Sequence, residues 1–198
     1  MKDNGVKKIG FLGGAFDPIH LGHLIIAQDA YEQAELDSLY LVPTAQSPLK
    51  ANAPQTTNEQ RLAMVQAAIE EIPSFGVIDD ELKRGGESFT YDTVASLRER
   101  WPDDRLFWII GADQVEQLPL WHRIADLLKI VEFICIGRPG HKLQYPIGIP
   151  HDRLFSINGH LFDVSSTEIR TRIASGQSAR FYLPAPVNDY IEKESLYQ

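Results

Sequence analysis

"KKIGFLGGAFDPIHLGHLIIAQDAYEQAE", residues 7–35, decides how the rest of the chain is read. A short apolar run closes on Gly13-Gly14; its length and ending predict a buried strand. Leu21, Leu24, Ile25, Ala27 and Tyr31 then recur at near-helical spacing and predict a helix. Between them, Asp17 before Pro18 predicts a helix N-terminus with Pro at or near the first helical position. A strand running through a glycine turn into a helix is half of a βαβ unit.

The alternation continues along the chain. "DSLYLVP" (37–43), "RLFWIIGAD" (105–113), "IVEFICIGR" (130–138) and "RLFSIN" (153–158) read as strands, and "GVIDDEL" (76–82) as a weaker one. "NEQRLAMVQAAIEEI" (58–72) reads as a helix with Asn58 at its N-cap. Further helices are predicted over 90–101, 120–129, 166–176 and 186–197. Pro102 stops the first of these, and Gly176 stops the 166–176 helix. Strands alternating with helices imply parallel pairing and right-handed crossovers. We therefore expect an α/β fold: a Rossmann-like doubly wound parallel sheet with helices on both faces and a small C-terminal helical part. Residues 1–198 read as a single domain. In such a sheet, ligands sit at the carboxyl ends of the strands, which directs attention to Gly13-Gly14, 43–50, 111–113 and Arg138.

Composition narrows the function. The 198 residues carry a net charge of −8, which disfavours non-specific nucleic-acid binding but not a small anion in a local basic pocket. No apolar run approaches the roughly 18 residues of a membrane span, and the N-terminus does not read as a signal peptide. Cys135 is the only cysteine, so a cytoplasmic setting is expected, without an internal disulfide or a thiolate metal site. Homo-oligomerisation is left open. G-x-G-x-x-G with an acid ending the second strand is absent, as are a P-loop and a G-x-S-x-G elbow.

Two constellations remain. In the first, His20 and His23 lie three apart at a helix start, where free N–H groups and the dipole favour an anion. Gly13, Gly14 and Gly22 would let a ligand approach the backbone. A zinc site is disfavoured, since no third ligand stands at suitable spacing. In the second, "SSTEIR" (165–170), Ser165 and Glu168 fit a capping box, which alone would explain the pattern. Ser166 and Thr167 add hydroxyls, and Arg170 follows one turn later, which makes a second anion site.

Together these motifs resemble the nucleotidyltransferase superfamily marked by HxGH near the N-terminus and SSTxIR near the C-terminus. "SFTYDTVASLR" (88–98), "WIIGADQVEQLPLW" (108–121), "IGRPG" (136–140) and "YLPAPVNDYI" (182–191) extend the resemblance to the bacterial nicotinate-nucleotide adenylyltransferases. The resemblance implies transfer of AMP from ATP to nicotinate mononucleotide, giving nicotinic acid adenine dinucleotide and pyrophosphate in NAD biosynthesis. It implies catalytic roles for His20, His23, Lys50 and Arg170. Ala15, Phe16 and the glycines would border ATP with Ser165, Ser166 and Thr167; Gly111 and Asp113 would hold its ribose, and Arg138 would border the adenine. Thr90, Trp121 and His122 would recognise nicotinate mononucleotide, the Trp by stacking and the neighbouring main chain by binding the carboxylate. Mg²⁺ would be carried chiefly by the ATP phosphates, with no protein metal site.

The chain departs from the family pattern at three places: Ala15 stands where a hydroxyl residue is usual, Leu49 replaces a His in "SPLK" (47–50), and His122 replaces a Tyr. Related adenylyltransferases acting on nicotinamide mononucleotide or phosphopantetheine, and a non-catalytic nucleotide-binding module, stay open as alternatives.

Overall fold

The computed structural model describes residues 5–46, 53–137, 146–160 and 162–198. Lys50, Leu49 and Arg138 lie outside the described residues. Six strands form one sheet: β1 (Lys8–Gly14), β2 (Ser38–Pro43), β3 (Phe75–Val77), β4 (Arg105–Gly111), β5 (Glu132–Gly137) and β6 (Leu154–Asn158). Every pairing is parallel, in the order β3-β2-β1-β4-β5-β6. The chain winds outward from β1 in one direction, then returns and winds outward from β4 in the other. The strand order therefore reverses between β1 and β4, and a crevice opens at their carboxyl ends.

The strands are buried on both faces because their side chains alternate between two cores. Leu12, Phe107 and Ile109 point into one, with helices α1 (Leu21–Gln33) and α2 (Asn58–Ile69). Ile9, Phe11, Leu106, Trp108 and Ile110 point into the other. Short α3 (Asp80–Arg84) follows β3. α4 (Thr90–Arg100), short α5 (Ala112–Val115) and α6 (Ile124–Ile130) cover the second face. α7 (Ser166–Ala174) and α8 (Ala185–Lys193) return to the first, where Ile169, Val187 and Ile191 join the core and α8 packs on α2. This is the Rossmann-like architecture expected, with its C-terminal helical part.

Several local expectations need correction. α1 begins at Leu21 with His20 as N-cap, not at Asp17-Pro18. Asp17 is instead buried, and its carboxylate accepts bonds from the Gln55 N–H at 2.7 Å, the Thr56 hydroxyl at 2.6 Å and the Tyr197 hydroxyl at 2.8 Å. Its carboxylate is turned toward these distant partners, and the N-cap position falls three residues later, at His20. Thr57, not Asn58, caps α2, in a reciprocal box with Gln60. The weak strand after Gly76 stops at Val77, and Asp80–Arg84 turns helical, ending at Gly85 with φ 68°. The helix expected from Leu120 starts only at Ile124, because Arg123 sits in the left-handed region at φ 53° and separates it from a 3₁₀ turn at Leu118–Leu120. Gly176 stops α7 at φ 70°, as its sequence position predicts.

Candidate active site

A cleft of about 970 Å³ opens at the carboxyl ends of β1 and β4. Every candidate residue that the structure describes lines it. The β1–α1 turn contributes Gly13, Gly14, Ala15, Phe16, His20, Gly22 and His23. The end of β4 contributes Gly111 and Asp113, and the start of α7 contributes Ser165, Ser166, Thr167 and Arg170. Thr90, Trp121 and His122 form a further wall.

The two anion motifs are fastened to each other. Ser166 Oγ donates to the Pro18 carbonyl at 2.9 Å, and Arg170 Nη1 donates to the Asp17 carbonyl at 2.6 Å. Arg170 Nη2 reaches back to Thr167 Oγ1 at 3.2 Å. The α7 N-terminus is thereby docked on the β1–α1 turn, although nearly the whole chain separates them in sequence. Ser165 Oγ accepts from the Glu168 N–H at 3.1 Å and so supplies the capping half of the expected box. Ser166 and Thr167 occupy the first helical turn, where their N–H groups have no intrahelical acceptor.

The histidines divide their work. The His20 N–H donates to His23 Nδ1 at 3.2 Å, which puts the neutral His23 ring proton on Nε2. The two rings lie 3.8 Å apart between centroids, and Phe16 meets His23 edge-on at 5.0 Å. Burial pushes the His20 pKa down to about 4, so its imidazole is neutral at pH 7 and offers a hydrogen bond rather than a charge. His20 Nδ1 and Arg170 Nε are buried without a protein partner among the described residues, the kind of polar atom that a ligand or water completes. The α1 start presents fewer free donors than expected, because the Leu21 N–H is spent on the Tyr182 carbonyl at 3.0 Å.

The glycines also make room for neighbouring side chains. A Cβ at Gly13 would lie 2.7 Å from the Trp108 ring, and one at Gly14 2.9 Å from the Phe16 ring. A Cβ at Gly22 would lie 3.0 Å from His20 Nδ1, and one at Gly111 2.7 Å from the Asp113 carboxylate. Each glycine makes space for a neighbouring side chain that lines the cleft, and Asp113 is thereby folded over the end of β4.

On the acceptor side, Thr90 opens α4, where first-turn N–H groups lack intrahelical acceptors. The Trp121 N–H is already given to the Leu118 carbonyl at 3.0 Å. The Trp121 ring meets Phe133 edge-on at 5.9 Å, and the His122 ring lies 4.7 Å from that of Phe89.

One residue has a different role from the one its sequence position suggests, and two more carry no role in the motifs: Asp17 is a buried hub rather than a cap. Tyr197 donates to it from the far end of the chain, with no local signal to reveal this. Arg61 is fully buried in the α2 stripe that also holds Met64 and Val65. A charge at a core position of a helical pattern was the available clue.

Among the described residues, no three His, Cys, Asp or Glu side chains converge to hold a metal, and no helix is long and apolar enough to cross a membrane.

The cytidylyltransferase-like family model matches residues 11–172. The "probable nicotinate-nucleotide adenylyltransferase" of Opitutus terrae is 48% identical over 191 residues, covering 96% of this chain and 98% of that protein. The nicotinate-nucleotide adenylyltransferase of Bacillus subtilis is 40% identical over 193 residues, covering 98% of this chain and all of that protein. The fold matches that of the Plasmodium falciparum nicotinic acid mononucleotide adenylyltransferase complexed with NaAD, with a TM-score of 0.76 at 21% identity over 96% of this chain and 97% of that one. With the six-stranded parallel sheet, the SSTEIR motif fastened to the turn that leads into HxGH, and relatives of this identity matched over nearly their whole length, the chain belongs to the nicotinate-nucleotide adenylyltransferases, within the cytidylyltransferase-like family.

Proposed function

We propose that this chain performs the reaction of its family, the transfer of AMP from ATP to nicotinate mononucleotide, with the cleft between β1 and β4 as its active site. The docking of Arg170 on the Asp17 carbonyl carries the reading, because it places a cation and two helix starts at one end of the cleft.

A phosphate oxygen of nicotinate mononucleotide attacks the ATP α-phosphorus. A new P–O bond forms as the bond to the bridging oxygen of the β-phosphate breaks, and pyrophosphate leaves with that electron pair. The nucleophile needs no general base, since a phosphate's second pKa is about 6. Catalysis then consists of alignment and stabilisation of charge moving onto the leaving group. His23 Nε2–H, the neutral His20 ring and the Arg170 guanidinium supply the donors, together with the N–H groups of Ser166 and Thr167. Lys50 is assigned to the same phosphates. Gly13 to Phe16 form the wall of the nucleotide site, Asp113 accepts from ribose hydroxyls, and Arg138 borders the adenine. Trp121 stacks on the pyridine ring, with Thr90 and His122 beside it.

The described carboxylates of the cleft do not fit a protein-held metal: the Asp17 oxygens accept from Gln55, Thr56 and Tyr197, and among the described residues Asp113 belongs to no group of three that could hold a metal. Mg²⁺ is assigned to the ATP complex, bound by the triphosphate. The acidic net charge supports small-molecule substrates over nucleic acid, and the single buried cysteine, its pKa pushed up to about 12 by burial, supports a cytoplasmic setting.

The test is pyrophosphate release by the purified protein with ATP, Mg²⁺ and each acceptor in turn. Nicotinate mononucleotide should be the preferred acceptor. Equal use of nicotinamide mononucleotide would overturn the specificity, and silence with every acceptor would leave a binding module.

A further inference from the structure

The Arg61 guanidinium occupies the point where β1 and β2 part. Their register ends at Gly14 and Pro43, and the next residues leave the sheet. The last ladder-like bond is from the Thr44 N–H to the Gly14 carbonyl at 2.9 Å. Beyond it, Arg61 Nη1 donates to the Ala15 carbonyl at 2.7 Å and to the Thr44 carbonyl at 2.6 Å. Nη2 donates to the Asn58 side-chain oxygen at 2.6 Å and to the Ala45 carbonyl at 3.4 Å. One planar fork thus replaces the missing ladder, which the point charge of a lysine could not do.

The connection runs further. The Ala45 N–H donates to Ser88 Oγ at 3.0 Å, and the Ser88 N–H donates to the Gln46 carbonyl at 2.9 Å. Ser88 lies two residues before Thr90. Arg61 therefore touches the Gly13–Phe16 turn on one side and, through Ala45 and Ser88, the start of α4 on the other. Its burial is costly, and burial lowers its pKa from the ordinary value; no carboxylate hydrogen-bonds to it among the described residues. Removing it would leave two strand-end carbonyls without their donor.

We propose that Arg61 is a positioning residue that sets the distance between the nucleotide-binding turn and the acceptor-binding loop, and so aligns the attacking phosphate with the ATP α-phosphorus. The inference rests on the reaction assigned above. Its signature is a loss of kcat without a matching loss of affinity for either substrate, because each half-site stays intact while their relation changes. A misplacement of about 1 Å costs on the order of 10²-fold in rate.

The experiment uses the full chain with Arg61→Lys and Arg61→Met, measuring kcat per folded protein and, by calorimetry, the Kd of each substrate alone. Arg61→Lys should lower kcat by about 30-fold or more, with each Kd within about threefold of wild type. Leu154→Ala, at the opposite end of the sheet, serves as the control: it should lower the melting temperature and leave kcat per folded protein unchanged. A Leu154→Ala variant that loses kcat as Arg61→Lys does, or an Arg61→Lys variant with wild-type kcat, overturns the proposal. Should both Arg61 variants fail to fold, Asn58→Ala removes the side-chain acceptor of Nη2 and should lower kcat about threefold or more at unchanged affinities; unchanged kcat there also overturns it. Wild-type protein that releases no pyrophosphate with nicotinate mononucleotide removes the reaction and this inference together. Wild-type activity with indifferent variants removes this inference alone.

Discussion

Arg170 is held most closely by the Asp17 backbone: Nη1 donates to the Asp17 carbonyl at 2.6 Å, while the Asp17 carboxylate makes a longer ion pair with it at 3.9 Å. The Asp17 carboxylate is already occupied by Gln55, Thr56 and Tyr197. The guanidinium is therefore fixed in place by a backbone acceptor at short range, with the Asp17 charge at longer range. The backbone and the side chain of Asp17 thus act separately on one cation.

Arg170→Lys tests that separation. Lysine keeps the charge but cannot hold both the carbonyl and a phosphate with a planar fork. Turnover should fall by roughly 10²-fold, the scale of losing one preorganised donor. Steady-state kinetics near wild type would overturn the assignment of Arg170 to the phosphates.

Asp17→Asn should act on stability first. Its amide presents donors where three donors already point inward, and charge-assisted bonds are lost. A loss of about 2–3 kcal/mol in urea unfolding is expected. Tyr197→Phe should cost less, about 1 kcal/mol, and the double variant should be non-additive because the two groups share a bond.

His20 predicts a pH dependence. Its folded-state pKa is depressed by burial to about 4, against about 6.5 in the unfolded chain. Between these values the unfolded chain binds a proton that the folded protein refuses. The contribution is therefore fully present above pH 6.5 or so, falls as pH drops toward 4, and levels off below. Its upper size is about 3 kcal/mol. Urea unfolding measured from pH 4 to 7 should show this slope, and His20→Gln should flatten it; an unchanged slope would mean that another group titrates.

Gly22→Ala isolates the packing of the motif. Alanine favours the helix by roughly 1 kcal/mol, yet its Cβ would press on His20 Nδ1 at 3.0 Å and on Phe162 at 3.2 Å. The expected variant melts no lower than wild type and turns over about tenfold or more slowly, since a displaced His20 is a misplaced donor. Loss of stability with intact turnover would contradict this account.

Trp121→Ala should raise KM for nicotinate mononucleotide by about tenfold, the worth of one stacked ring, and leave KM for ATP nearly unchanged. Equal effects on both substrates would count against stacking.

What the sequence determined by itself was the alternation and the motifs. Apolar runs ending in glycine and helical periodicities such as Leu97 beside Val94 are local properties, so the parallel sheet and its functional edge follow from them. HxGH and SSTEIR were legible for the same reason, each being confined to a few adjacent residues. Tertiary structure decided the rest. Asp17 looked like a cap because Asp before Pro at a helix start is the local rule; only the fold brings Gln55, Thr56 and Tyr197 to its carboxylate. Gly13 and Gly14 marked a backbone that a ligand can approach, and only the fold shows that their missing side chains also make room for Trp108 and Phe16. His20 was legible as part of an anion motif, but its neutrality comes from burial, which no neighbouring residue encodes. Local propensity and spacing are written along the chain, whereas desolvation and long-range hydrogen bonds exist only once distant segments have packed.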